Sequence, residues 1–175
     1  MTAPSTSLTS TCAYVVGDDG VARWSPTHSD AWIGMLETHR ALTRTLDAEL
    51  EAEHGLTLSA LEVLGRLAAV PERRLGLSRL AAECALSLSR ISRIVDDLQR
   101  RGLVVKSPSP ADARATDATL TGAGLDLTRA AQATHFTSVQ RRFFEQLSPE
   151  ELGTLAEVFR RFAPGAADAC TTDDE

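Results

Sequence analysis

The chain has 175 residues, of which 43% are hydrophobic and 24% charged, a balance that predicts one folded domain with tails and excludes wholesale disorder and fibrous repeats. No apolar run approaches the roughly 20 residues of a bilayer-spanning helix and no signal-peptide pattern opens the chain, so a cytoplasmic location without membrane contact is expected. The net charge of −6 speaks against a nucleic-acid partner only on average: from Glu72 to Arg114 nine basic residues stand against five acidic ones, a basic segment on an acidic body.

Residues 1–28 are rich in Thr, Ser, Gly and Asp and read as a flexible N-terminal extension; residues 164–175 read as an acidic flexible tail. Between them, residues 29–163 carry the periodic patterns. Trp32, Ile33, Leu36, Leu42, Leu46 and Leu50 predict a long helix over 30–53, ended by Gly55. Ser59 followed by Glu62 has the spacing of a capping box and predicts a second, short helix stopped by Pro71. Leu77 to Cys84 and Arg90 to Arg101 predict two short helices joined by a Leu-Ser-Leu-Ser turn, a helix-turn-helix arrangement. Leu-Val-Val-Lys and Thr116 to Leu120, around a Ser-Pro-Ser-Pro-Ala-Asp turn, predict a β-hairpin. Thr121 caps a long helix over 122–146, and Ser148-Pro149-Glu150-Glu151 opens a last helix to about Phe162. The fold class expected is mainly α with a small β-hairpin wing: a DNA-binding lobe over about 57–121, flanked by long helices over 30–53 and 122–162.

A helix that enters a major groove needs short polar residues in its first turn and arginines that reach base edges. Ser87, Ser89, Arg90, Ser92 and Arg93 supply both, while Ile91, Ile94, Val95 and Leu98 face inward on Leu77, Leu80 and Ala81. Taken alone, this segment fits an amphipathic surface helix with capping serines equally well. Asp112 and Arg114 fall at the tip of the hairpin, where the arginine is placed to enter a minor groove and the carboxylate to hold its guanidinium. A solvated turn is the plainer reading of that pair. The order of helix-turn-helix, hairpin and tip arginine is what favours DNA.

At Ser-Arg-Ile-Val-Asp-Asp-Leu-Gln-Arg-Arg-Gly-Leu-Val (92–104) and Asp-Ala-Arg followed by Leu-Thr and Gly (112–124), the chain resembles the MarR family of winged helix-turn-helix transcription regulators, over roughly residues 30–162. Asp97 and Ala113 depart from the usual pattern at their positions. The resemblance implies a homodimer whose first and last helices interlock, binding double-stranded DNA, and a small-molecule effector held between those helices and the DNA-binding lobe. Candidate effector residues are Trp32, Met35, His39, Glu62 and Arg66, which mix apolar and polar groups. The competing reading puts Trp32 and Met35 in a dimer core and leaves Glu62 to its cap. The dimer also has a physical basis, since all five phenylalanines fall on the last two helices, more than one small domain readily covers. Two-fold symmetry then sets two recognition helices roughly 34 Å apart on an inverted-repeat operator.

No GxSxG, HExxH, P-loop or GxGxxG unit is present, so no enzyme is expected, and no cofactor or metal is indicated. Cys12, Cys84 and Cys170 lack metal-binding spacing and read as reduced thiols. The function expected is a ligand-responsive homodimeric repressor. Its rivals are a redox-sensing regulator acting through Cys12 and a winged-helix module that binds a protein partner.

Overall fold

A computed structural model describes residues 14–162, apart from 111 and 113. The chain divides into two compact units, with the boundary between residues 44 and 45. Cys12, Cys170 and the acidic tail lie outside the described residues.

The first unit opens with strands β1 (Tyr14–Val16) and β2 (Ala22–Trp24), paired antiparallel with Tyr14 opposite Trp24. Composition and periodicity indicate no element here. A Gly-Asp-Asp-Gly turn and the Arg23–Asp19 ion pair at 2.6 Å hold the hairpin, and the rings of Tyr14 and Trp24 meet edge to face at 6.2 Å. Helix α1 (Pro26–His54) follows, beginning four residues before the first position that periodicity indicates. Proline at its first position fits, because the missing N–H is one that no helix start satisfies internally.

In the second unit, α2 (Leu58–Ala68) starts from Thr57, whose hydroxyl accepts from the Ala60 N–H at 3.2 Å. The Ser59–Glu62 capping box is therefore not formed: Ser59 is already helical, and Glu62 lies near Arg66 at 3.7 Å. Asp47 of α1 supplies a further cap by accepting from the Leu58 N–H at 2.7 Å. Strand β3 (Arg74–Gly76), absent from the sequence reading, leads into α3 (Leu77–Glu83). Ala85, at φ +50°, turns the chain into α4 (Leu88–Arg100), whose cap Ser87 accepts from the Arg90 N–H at 3.3 Å. Gly102, at φ +73°, ends that helix in a conformation that costs other residues strain.

Strands β4 (Val104–Pro108) and β5 (Thr116–Leu120) form the expected hairpin, and β3 adds to β5, so the sheet order is β3-β5-β4. Helix α5 (Gly122–Arg142) is capped by Thr121 and breaks at Phe143, four residues short of the sequence-based end. A short 3₁₀ turn at Phe144–Gln146 precedes α6 (Pro149–Phe162). There the reciprocal cap is made: Ser148 N–H donates to Glu151 at 2.8 Å, and Glu151 N–H donates to the Ser148 hydroxyl at 3.3 Å.

One core joins Leu50, Leu56, Val63, Leu64, Leu67, Leu80, Ile91, Val95, Leu98, Val104 and Ala131, and it fixes α4 against α2, α3 and the wing strands. Helix α5 approaches closely at Gly124, where a Cβ would sit 2.1 Å from the Leu103 carbonyl oxygen. By contrast Phe136, Phe144, Phe159 and Phe162 are all exposed, and α6 buries no residue.

Candidate nucleic-acid interface

The sequence fixes the orientation of α4 before any ligand is considered. Ile91, Val95 and Leu98 recur on one face and are fully buried, which leaves Ser89, Arg93, Asp96 and Arg100 on the outer face. Ser87, Ser89, Arg90 and Arg93 are exposed, and Ser92 is half-buried. The structure thus gathers the predicted residues of this helix in its first two turns. Arg90 reaches back to the Ser59 hydroxyl of α2 at 3.3 Å, and Arg93 Nε donates to the Ser89 carbonyl at 3.3 Å.

The wing is tied to this helix from its base. Lys106 of β4 pairs with Asp96 at 2.7 Å, and its N–H donates to the Gln99 side chain at 3.1 Å. At the other edge Arg74 of β3 pairs with the buried Asp117 of β5 at 2.8 Å and donates to the Pro108 carbonyl at 3.3 Å. Periodicity gave no sign of these links, since they join short strands to residues distant in sequence. At the tip, Arg114 and Asp112 are both exposed. The expected hold on the guanidinium is replaced by a tight turn, in which Asp112 accepts from the Arg114 backbone N–H at 2.9 Å.

These pairings decide what the basic segment can offer. Arg79 pairs with Glu83, Arg100 with Asp97, Lys106 with Asp96 and Arg74 with Asp117. Among the described residues of that segment, Arg73, Arg90, Arg93 and Arg114 are exposed and make no ion pair. Uncompensated arginines on a helix and a wing form a surface suited to a polyanion.

The candidate effector residues are dispersed over two units. Trp32, Met35 and His39 are exposed on α1 in the first unit; Glu62, exposed, and Arg66, half-buried, sit on α2 in the second. A cleft of about 600 Å³ between α3 and the wing is lined by Glu72, Arg74, Arg79, Asp112 and Asp117, with neither Glu62 nor Arg66 among its walls. Cys84 is buried at the end of α3, and burial, reinforced by Glu62, pushes its thiol up to about 11. No described helix is long and apolar enough to cross a membrane.

A helix-turn-helix followed by a two-stranded wing defines the winged helix-turn-helix class. A model of the MarR family matches residues 54–115, the span from the end of α1 to the wing tip. Sco3205 of Streptomyces coelicolor, a MarR family transcriptional regulator solved in complex with DNA, is 30% identical, with a TM-score of 0.76 over 82% of this chain and 90% of that one. AbsC, a MarR family transcriptional regulator of the same organism, is 32% identical, with a TM-score of 0.75 over 83% of this chain and 99% of its own. MarR of Escherichia coli shares the fold at 21% identity and a TM-score of 0.62, over 77% of this chain and 95% of that one. No curated protein matches the chain. The chain belongs to the MarR family of transcriptional regulators.

Proposed function

We propose that the chain is a homodimeric repressor that binds an inverted-repeat operator in double-stranded DNA and is released by a small-molecule effector. The observation that carries the DNA reading is the set of exposed, unpaired arginines on α4 and the wing, Arg90, Arg93 and Arg114, beside Ser87 and Ser89. Arg90 and Arg93 contact bases or phosphates in the major groove, Ser87, Ser89 and Ser92 let the helix approach the backbone, and Arg114, turned by Asp112, enters the minor groove. The DNA-bound relative supports the same reading.

A second copy of the chain covers the exposed phenylalanines of α5 and α6, which supports the dimer. The effector acts by shifting the spacing of the two lobes, with Trp32, Met35, His39, Glu62 and Arg66 as candidate contacts; a coupling of about 1 to 3 kcal/mol suffices to change occupancy usefully. Regulation without catalysis fits relatives that are transcriptional regulators.

Selection of duplexes from a random pool by the full-length protein, with light scattering of the free and bound forms, tests this directly. Recovery of an inverted repeat bound by two chains is expected. A monomer, or a pool without a consensus, contradicts the proposal.

A further inference from the structure

Leu88, Ile91, Val95 and Leu98 are spaced to lie along one side of α4. Burial does not follow the spacing: Ile91, Val95 and Leu98 are sealed in the core, whereas Leu88 is 51% exposed. The apolar stripe outruns the lobe by one turn, at the end of the helix that carries the unpaired arginines. An isolated exposed leucine is ordinary on a protein surface. In sequence this one stands between the exposed Ser87 and Ser89, in the first turn of the helix that also bears Arg90 and Arg93.

Among the described residues from 36 to 135, Val105 is the only other large apolar side chain of comparable exposure. On α4 itself no other large apolar side chain is exposed. A single branched apolar group on a helical turn that also bears exposed hydroxyls and an arginine matches a major-groove floor, where the thymine C5-methyl is the apolar feature between flanking phosphates. Cytosine offers no methyl there and presents an amino group that a leucine leaves unpaired.

We propose that Leu88 is a specificity-determining residue that packs on the C5-methyl of a thymine in the operator half-site. The proposal rests on α4 being the recognition helix and adds to it a base preference at one position. The Leu88 contact adds discrimination at one position to whatever the arginines supply.

The test uses the full-length protein and the operator recovered by random-duplex selection. Each thymine is replaced in turn by deoxyuridine, which removes only the methyl, and affinity is read by fluorescence anisotropy for wild type, Leu88→Ala and Leu88→Met. Wild type and Leu88→Met are expected to lose about fourfold at one thymine position of the half-site, the effect of exposing one methyl-sized group. Leu88→Ala is expected to bind the thymine operator more weakly and to be indifferent to uracil at that position. The uracil scan of wild type stands whether or not a variant folds. Insensitivity of wild type at every thymine, or undiminished sensitivity in Leu88→Ala, overturns the Leu88 contact while leaving α4 as the DNA-binding helix. Failure of wild type to select any duplex overturns both.

Discussion

Arg101, just past the end of α4, donates to the Gly55 carbonyl at 2.7 Å and to the His54 carbonyl at 3.2 Å. His54 is the last residue of α1 and Gly55 follows it, so both carbonyls lie where the helix runs out of partners, and one guanidinium caps the end of α1 from the end of α4. Replacing Arg101 with Ala is expected to cost about 1 to 3 kcal/mol, the range for a charged hydrogen-bond donor lost from a partly shielded site. Denaturant unfolding checks this. A midpoint unchanged from wild type would mean that the Arg101–Gly55 contact contributes nothing.

Gly124 and Gly122, two residues apart, are expected to respond oppositely to alanine. At Gly124 the new Cβ meets the Leu103 carbonyl oxygen at 2.1 Å and Leu120 Cδ1 at 2.7 Å, so α5 must move off the wing strands at a cost of about 1 to 3 kcal/mol or more. At Gly122, the first residue of the helix, nothing lies within 4 Å, and the better helix former adds a few tenths of a kcal/mol, less than the roughly 1 kcal/mol of a helix interior. Equal melting temperatures for the two variants would refute the close approach.

Glu49 of α1 meets Arg142 and Ser138 of α5, with Arg141 at 3.3 Å. The Arg142 guanidinium first, and the Ser138 hydroxyl second, hold its carboxyl below the ordinary carboxylate range. A pKa depressed by folding contributes stability above the unfolded value, and that contribution is lost as pH falls through the folded one. The stability difference between wild type and Glu49→Gln is therefore expected to be largest near neutral pH and to shrink on acidification below about pH 4.5. Melting curves across that range check the sign; a difference that grows toward acid would reverse it.

The Cys84 thiol, buried and pushed up to about 11, stays protonated at physiological pH. Iodoacetamide followed by peptide mapping is expected to leave Cys84 unmodified in the native protein and to modify it in denaturant. Modification of the native protein at the rate of a free cysteine would contradict its place in the core.

Much of this architecture was legible in the sequence because burial imposes periodicity. Helices α2 to α6 and the β4–β5 hairpin have apolar spacings or turn residues that packing against one core demands, and Thr121 and Ser148 cap as their positions indicate. Strand β3 was not legible: it has three residues, and its pairing with β5 depends on contacts distant in sequence. The β1–β2 hairpin escaped for the opposite reason, since both strands are exposed and no buried face imprints an alternation on them. Thr57 displaced Ser59 as a cap because Asp47, on another helix, meets the Leu58 N–H from outside the local sequence. On the candidate surface, the residues that the sequence puts on a helix and a hairpin, Ser87 to Arg93 and Arg114, stand on α4 and at the wing tip. Which arginines remain unpaired depended on tertiary ion pairs such as Arg74–Asp117 and Lys106–Asp96.

The arginines of the interface are expected to separate by role. Arg93→Ala should cost about 1 to 3 kcal/mol of operator affinity and relax the preference at one base pair. Arg114→Ala should weaken operator binding, lower the salt slope by about one and leave the melting temperature unchanged. Unaltered operator affinity in Arg114→Ala would remove the wing from the interface.

The central claim is that an acidic protein binds specific DNA through a local basic surface. Fluorescence anisotropy with DNA from upstream of its own gene and with scrambled DNA of the same composition, at several salt concentrations, tests it most directly. Tight binding to the upstream DNA that falls steeply with salt is the predicted result. Weak, equal and salt-insensitive binding to both would contradict it.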